Sequence, residues 1–418
     1  MFASVPRSRA AALVLAVVAA TAAFAGPPAA GSADAATPPP LPSAGGSVSA
    51  PMVEAAEAWR VELEGMAAGA VRALPAADRD GTAGDGPAAL FLVPVGGTLE
   101  ARRASDGSLA WRREGLDGGG LESDPLPAAP EAAPLAWAGV DGDGTARFAL
   151  LSPASGATLA SAGLEDPPVG APLAMPPHEE EGPRWYVPLP RGRIAVFDGT
   201  AARVGTVEMQ EEITPPLARV AGEVIAVLGP DRRAARIGSL PRRNAPRGLD
   251  PLTIAVSDGV AVAARERGVA AWRVRPLRRG TMRFGLDWEQ HLGGKVSAAP
   301  LFAPPLVLVP CWDTFLYAFE ARNGHLVWRT RAGHRLATTP LRWRVFAALQ
   351  PSTAPSIQFF DLVAGRPAGR IDAGEEEQVV AAPAIAGDLL VVATSRSPSK
   401  TAVLRGYALK VVSRAAGR

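Results

Sequence analysis

The residues best suited to chemistry in this 418-residue chain are few and scattered. Its four histidines, His178, His291, His325 and His334, show neither the HxH nor the HExxH spacing that would set two imidazoles on one zinc ion. A single cysteine, Cys311, excludes an intramolecular disulfide and any cysteine-based zinc cluster. It sits in an apolar stretch beside Trp312, as a buried small hydrophobe would. Val140-Asp141-Gly142-Asp143-Gly144 alternates carboxylates with glycines like the start of a calcium loop, but the later ligands are missing and it reads as a hairpin turn. No serine stands in a Gly-x-Ser-x-Gly elbow. Gly118-Gly119-Gly120 lacks the lysine and helix of a phosphate loop. The expectation is therefore no catalytic, cofactor-binding or metal residues, and no cofactor. What remains are charge runs, read as solvated hairpin tips that could gather on one rim: acidic Glu179-Glu180-Glu181 and Glu375-Glu376-Glu377, and basic Arg232-Arg233, Arg242-Arg243 and Arg278-Arg279.

The elements around these residues repeat. The clearest unit runs Leu306 to Pro310, Thr314 to Glu320, a turn at Asn323-Gly324 expected to place both residues at positive φ, then His325 to Arg329 with Trp328. Thr338-Thr339-Pro340-Leu341 opens the next unit. The same order appears at Gly97 to Arg102, Ser105-Asp106-Gly107, Leu109 to Arg112 with Trp111, and Asp124-Pro125-Leu126. A third copy carries Gly268 to Trp272, a longer arginine-rich hairpin, Leu286 to Glu289 with Trp288, and Ala299-Pro300-Leu301. Weaker copies include Ser155-Gly156 with Ala171-Pro172-Leu173, and Val204 to Val207 with Pro215-Pro216-Leu217. Opening strands placed at Leu74, Leu126, Leu173, Leu217, Leu252, Leu301, Leu341 and Ala384 lie 52, 47, 44, 35, 49, 40 and 43 residues apart. That is the period of a four-stranded propeller blade, roughly 40–50 residues.

A second spacing agrees with the first. Trp111 lies 15 residues before Leu126, and Trp288 and Trp328 lie 13 before Leu301 and Leu341; Trp59 lies 15 before Leu74. Trp59 therefore occupies a last-strand position whose blade has no other strands at that end. The C-terminal strands, Asp388 to Thr394 and Val403 to Val412, lack a final tryptophan strand. Pairing of the two ends completes a blade and removes two open sheet edges. The fold class expected is all-β, an eight-bladed β-propeller of four-stranded antiparallel blades. Seven blades is the alternative if the irregular stretch from Arg232 to Asp250 is an insertion.

On these motifs, above all Thr314 to Arg329 and then Ser105 to Arg112, the chain resembles the PQQ-like (pyrroloquinoline-quinone-like) β-propeller repeat family over about residues 53–412. In length and single-propeller layout it is similar to that family's BamB branch of outer-membrane barrel-assembly factors. The resemblance implies that Trp59, Trp111, Trp288, Trp328 and the turn glycines dock blade on blade. Quinoprotein dehydrogenases of the same repeat are usually longer, and many carry a vicinal cysteine pair. They hold calcium with Glu, Asn and Asp; neither the cysteine pair nor a calcium-ligand spacing occurs here. BamB-type chains are normally anchored by a lipidated cysteine, which is also lacking.

The N-terminus reads as an address. Arg7 and Arg9 precede an uncharged apolar stretch, Ala10 to Phe24, and Ala23-Phe24-Ala25 offers a cleavage site. Residues 1–25 are expected to be a signal peptide, 26–52 a flexible Pro/Ala/Gly-rich linker, 53–412 the propeller and 413–418 a short basic tail. Lys+Arg of 43 against Asp+Glu of 41 gives +2, no reason for a nucleic-acid partner. No later stretch is long and apolar enough to span a bilayer. The function expected is a monomeric, non-catalytic, periplasmic or secreted scaffold or adaptor for protein partners in the cell envelope. The alternative is a ligand- or glycan-sensing propeller, which would expose aromatic side chains at the central channel; a quinoprotein-like enzyme is the third class.

Overall fold

The computed structural model describes residues 51–413, apart from 68, 75–89, 117–119, 123–133, 177–181, 221, 239–244, 258, 266–267, 278–280, 337, 352–355, 375 and 397–400. Short runs rich in Val, Ala, Leu and Phe alternate with glycine-containing turns, and within each blade neighbouring strands pair in antiparallel register. The result is an eight-bladed β-propeller. Blade 1 comprises Arg72–Leu74, Leu90–Val95, Thr98–Arg103 and Leu109–Arg113. Blade 2 comprises Gly120–Glu122, Leu135–Val140, Ala146–Leu151 and Thr158–Gly163. Blade 3 has Leu173–Met175, Arg184–Leu189, Arg193–Phe197 and Arg203–Glu208; blade 4 has Ile213–Val220, Glu223–Leu228 and Arg233–Arg236. Blade 5 has Ala255–Ser257, Val260–Arg265, Gly268–Leu277 and Thr281–His291; blade 6 has Leu301–Ala303, Leu306–Pro310, Phe315–Glu320 and Leu326–Arg331. Blade 7 has Leu341–Trp343, Phe346–Leu349, Ser356–Asp361 and Pro367–Asp372.

Blade 8 is shared between the chain ends. Its first three strands are Ala384–Ala386 (preceded by Glu377–Val379), Leu389–Arg396 and Val403–Ser413. The fourth is Pro51–Glu62, paired from Pro51↔Ser413 to Glu62↔Val403. The closure expected from the Trp59 spacing is thus present, and eleven paired positions hold it. Had the ends not met, the long third strand would present a free edge to other chains.

Two expected blade openings differ in the structure. Leu252 lies in a 3-10 turn, Pro251–Thr253, and blade 5 opens on Ala255–Ser257. The turn forms because the Asp250 carbonyl accepts both the backbone N–H and the hydroxyl of Thr253, whose oxygen in turn receives the Ala264 N–H. In blade 2 the strand paired to Leu135–Val140 is Gly120–Glu122, and Leu126 lies outside the described residues. The irregular stretch from Arg232 belongs to blade 4 itself. Among the described residues that blade has three strands. Beside the third runs an irregular segment, with Ala234 N–H on the Pro246 carbonyl and the N–H groups of Gly248 and Leu249 on those of Asp231 and Arg232.

The core is divided among the junctions between blades. Each of the eight has its own cluster, from Phe91, Val93, Val391 and Leu404 between blades 8 and 1 round to Phe346, Phe359, Leu390 and Leu409 between blades 7 and 8. Four junctions use one device. Trp59, Trp111, Trp288 and Trp328, on the outer strands of blades 8, 1, 5 and 6, reach the next blade and donate an indole N–H to Ala104, Pro153, Ala321 and Leu362, at 2.9–3.0 Å. Each ring covers a turn glycine at positive φ: Gly107, Gly156, Gly324 or Gly365. A Cβ there would meet the ring at 2.5–2.6 Å, so both the conformation and the space demand glycine. This corrects the expected Asn323-Gly324 turn. Only Gly324 has positive φ, in a four-residue loop closed by Glu320 N–H on the His325 carbonyl, and the Asn323 side chain accepts the His325 N–H.

Candidate interaction surfaces

Antiparallel order sorts the loops onto two faces. Second-to-third-strand turns and the connectors between blades share one face; first-to-second and third-to-outer turns share the other. The first of these faces holds Trp312. Of the nine tryptophans it alone is exposed, at 50%, because it sits in the turn after Pro310 rather than on a strand facing a neighbour. Lys295, from the connector between blades 5 and 6, lies 5.9 Å over its ring, and the Lys295 ammonium is 3.9 Å from Asp250 on the preceding connector. That connector also exposes Leu252. Behind Trp312 the turn is rigid: the Tyr317 hydroxyl donates to Asp313 Oδ2 at 2.5 Å, and Asp313 Oδ1 accepts the Phe315 N–H. Burial pushes the Tyr317 phenol up to about 12 and the Cys311 thiol up to about 11; the Asp313 carboxylate adds to both shifts, while the Asp313 backbone N–H works against that of Cys311. Cys311 is fully buried and neutral, as expected from its apolar strand.

The opposite face is marked by a finger. In blade 6 the third and outer strands close at a tight turn just after a bulge between Ala318 and Phe319. In blade 5 the bulge lies between Ala271 and Trp272, but pairing continues for six more positions, from Trp272↔Leu286 to Leu277↔Thr281. One side of this finger packs inward: Val274 and Phe284 join Val220, Ile225, Ala234 and Leu249 between blades 4 and 5. Trp272 lies there too, so blade 5 supplies from its own hairpin the large ring that blade 4 lacks. The fit leaves an apolar cavity of about 20 Å³ lined by Ala218, Ala261, Ala263, Trp272 and Phe284, among others. The other side of the finger carries exposed Arg273, Arg275 and Arg283. At blades 7 and 8 the same face exposes Val345 and Val363, beside an Arg344–Asp388 ion pair. Hydrogen bonds from Arg344 and then from the Trp343 indole hold Asp388 below the usual carboxylate range.

Two of the charge runs turn one member inward, Glu377 buried and Arg233 half-buried, while Glu376 and Arg232 stay exposed. Glu377 is buried, with its carboxylate on Arg405 Nη2 at 2.7 Å and the Thr394 hydroxyl at 2.8 Å. Arg405 also donates to Glu57 on the N-terminal strand; burial opposes its charge, yet these hydrogen bonds prevail and raise its pKa. Arg233 pairs with Glu211 across blades 3 and 4. Such residues leave solvent because each finds an opposite charge and hydrogen bonds. Glu100 shows the same logic from outside the charge runs, fully buried between Arg102 and Arg112. Glu179 to Glu181, Arg242-Arg243, Arg278-Arg279 and His178 lie outside the described residues, as does Glu375. His291 ends the outer strand of blade 5, paired to Gly268, and His334 lies in the connector after the outer strand of blade 6. Asp141-Gly142-Asp143-Gly144 is the expected hairpin turn. Asp141 Oδ1 accepts N–H groups of Asp143 and Thr145, and Asp143 is drawn down to about 2, first by its hydrogen bond with Asp141 and then by Thr145. Both carboxylates bind Arg147. Among the described residues, no three His, Cys, Asp or Glu side chains converge to hold a metal ion. No helix of the described residues is long and apolar enough to cross a membrane.

The fold places the chain among known structures. It is similar to BamB from Moraxella catarrhalis, with a TM-score of 0.54 at 14% identity over 85% of this chain and 98% of that one. It is equally similar to the computationally designed Ika8 protein, with a TM-score of 0.56 at 15% identity over 84% and 99%. No family model and no curated protein sequence matches it.

Proposed function

We propose that this chain is a non-catalytic propeller scaffold of the cell envelope, exported through its N-terminal signal and holding protein partners on its faces, as a BamB-like factor in outer-membrane protein assembly. The observation that carries this reading is the use of the aromatic side chains. Four tryptophans latch blades together and four more are buried, so the residues that a channel-binding sensor would expose are consumed by the scaffold. The likeness to BamB over nearly its whole length supports it, as does the apolar and cationic lining of both faces. The test is affinity purification of the tagged, exported chain from envelope extract, with mass spectrometry. Recovery of barrel-assembly components is the expected result, and their absence at every washing stringency overturns the assignment.

Trp312 supports a second reading, a glycan- or ligand-sensing propeller, because an exposed indole beside a lysine suits a sugar ring and its polar rim. Saccharide binding that Trp312→Ala abolishes would favour it.

A further inference from the structure

The blade 5 finger concentrates charge that the rest of the chain balances. From Arg273 to Arg283 there are five arginines, Arg273, Arg275, Arg278, Arg279 and Arg283, and no acid, in a chain whose net charge is +2. Register sets Arg275 directly opposite Arg283, both exposed. Like charges directly opposed across two strands destabilise a hairpin unless an anion lies over them. Among the described residues neither has an acidic partner; the nearby Asp287 is on Arg273, at 3.0 Å.

We propose that this face of the finger is a docking strip for an acidic polypeptide segment. The assignment rests on the reading of the chain as a protein-binding scaffold. Side chains on one face of a strand recur about every 6.8 Å, and so do carboxylates on one face of an extended peptide. The planar guanidinium fork grips a carboxylate through two parallel hydrogen bonds. A bilayer is the poorer fit, because Val274 and Phe284 pack the finger's other side against the junction of blades 4 and 5. The described part of the finger therefore lies along the body of the propeller, where its arginines border a surface rather than enter one.

The experiment is fluorescence anisotropy with a labelled octapeptide of alternating glutamate and serine, titrated with the exported chain and with Arg275→Gln/Arg283→Gln. The parent is expected to bind with an affinity that falls as salt rises, and the double variant to bind roughly tenfold or more weakly. The variant's thermal midpoint should equal or exceed the parent's, since the opposed charges are gone. If it fails to fold, Arg275→Lys/Arg283→Lys, which keeps charge but loses the forks, should give intermediate affinity. Equal affinity in parent and variant overturns the proposal, as does variant-sensitive binding of phosphatidylglycerol vesicles or a DNA oligonucleotide without peptide binding. Unchanged recovery of barrel-assembly components by the glutamine variant would overturn the finger's role and leave the scaffold standing. Finger-dependent peptide binding with no protein partner recovered would do the reverse.

Discussion

The tryptophan latch at the closing junction can be tested as a double-mutant cycle. Trp59 is 9% exposed, covers Gly107 and donates to the Ala104 carbonyl, and it belongs to the strand that completes blade 8. Truncating a buried ring of this size costs about 3–5 kcal/mol. Gly107→Ala meets two penalties. A residue with φ of +72° pays about 1–2 kcal/mol for the left-handed conformation. Its Cβ would also approach the Trp59 ring at 2.6 Å, and overpacking of that kind costs about 1–3 kcal/mol. Gly144→Ala is the control for the first penalty alone, because Gly144 has φ of +82° with nothing near its missing Cβ. In the Trp59→Ala background the ring clash is gone and only the Val61 Cγ2 contact at 2.9 Å remains, so Gly107→Ala should then cost little more than Gly144→Ala. The cycle should show a sub-additive coupling of about 1–3 kcal/mol, read from urea unfolding followed by far-ultraviolet circular dichroism. Additivity within about 0.5 kcal/mol would refute the account of why a glycine stands beneath each of these rings.

Other outcomes follow from the same structure. Removing residues 51–62 should lower the thermal midpoint and promote aggregation, and a synthetic peptide of that sequence added in excess should reverse both; no rescue would mean that the N-terminal strand does not close blade 8. Ala261→Val should fill part of the cavity between blades 4 and 5 and add roughly 0.5–1 kcal/mol to unfolding stability, whereas a loss would show the wall to be already closed. Cys311 should resist 5,5′-dithiobis(2-nitrobenzoate) at pH 8 until the chain is unfolded. Its thiol ionises near 9.0 when free and about 11 when folded, so its contribution to stability is whole below pH 9 and is lost as pH rises to 11. Cys311→Ala should flatten that alkaline decline, and an identical decline in the variant would show that another group causes it.

The propeller was legible because its signals are local and repeated. A tryptophan with another apolar strand about 13–15 residues further on needs no long-range knowledge; the period alone counts blades. The mismatch at the termini was legible for the same reason, since Trp59 kept its distance to Leu74 while the rest of its blade was missing. Where a blade departs from the repeat, the spacing misleads. Leu252 has the apolar character of an opening strand and lies 49 residues before Leu301, but the Asp250–Thr253 hydrogen bonds turn it out of the sheet.

The surface charges were decided by tertiary structure alone. Glu377 belongs to a run that looks solvated, yet its partners Arg405 and Thr394 arrive from strands 28 and 17 residues away, and Glu57 joins Arg405 from the other end of the chain. Whether a carboxylate leaves water depends on such partners, and no local pattern announces them. The finger is the mixed case. Its arginines and unusual length stand in the sequence, but only the register shows that Arg275 faces Arg283 while Val274 and Phe284 face the core. Alternation along a strand is written locally; which side meets a neighbouring blade, and which is left for a partner, is set by the blades on either side.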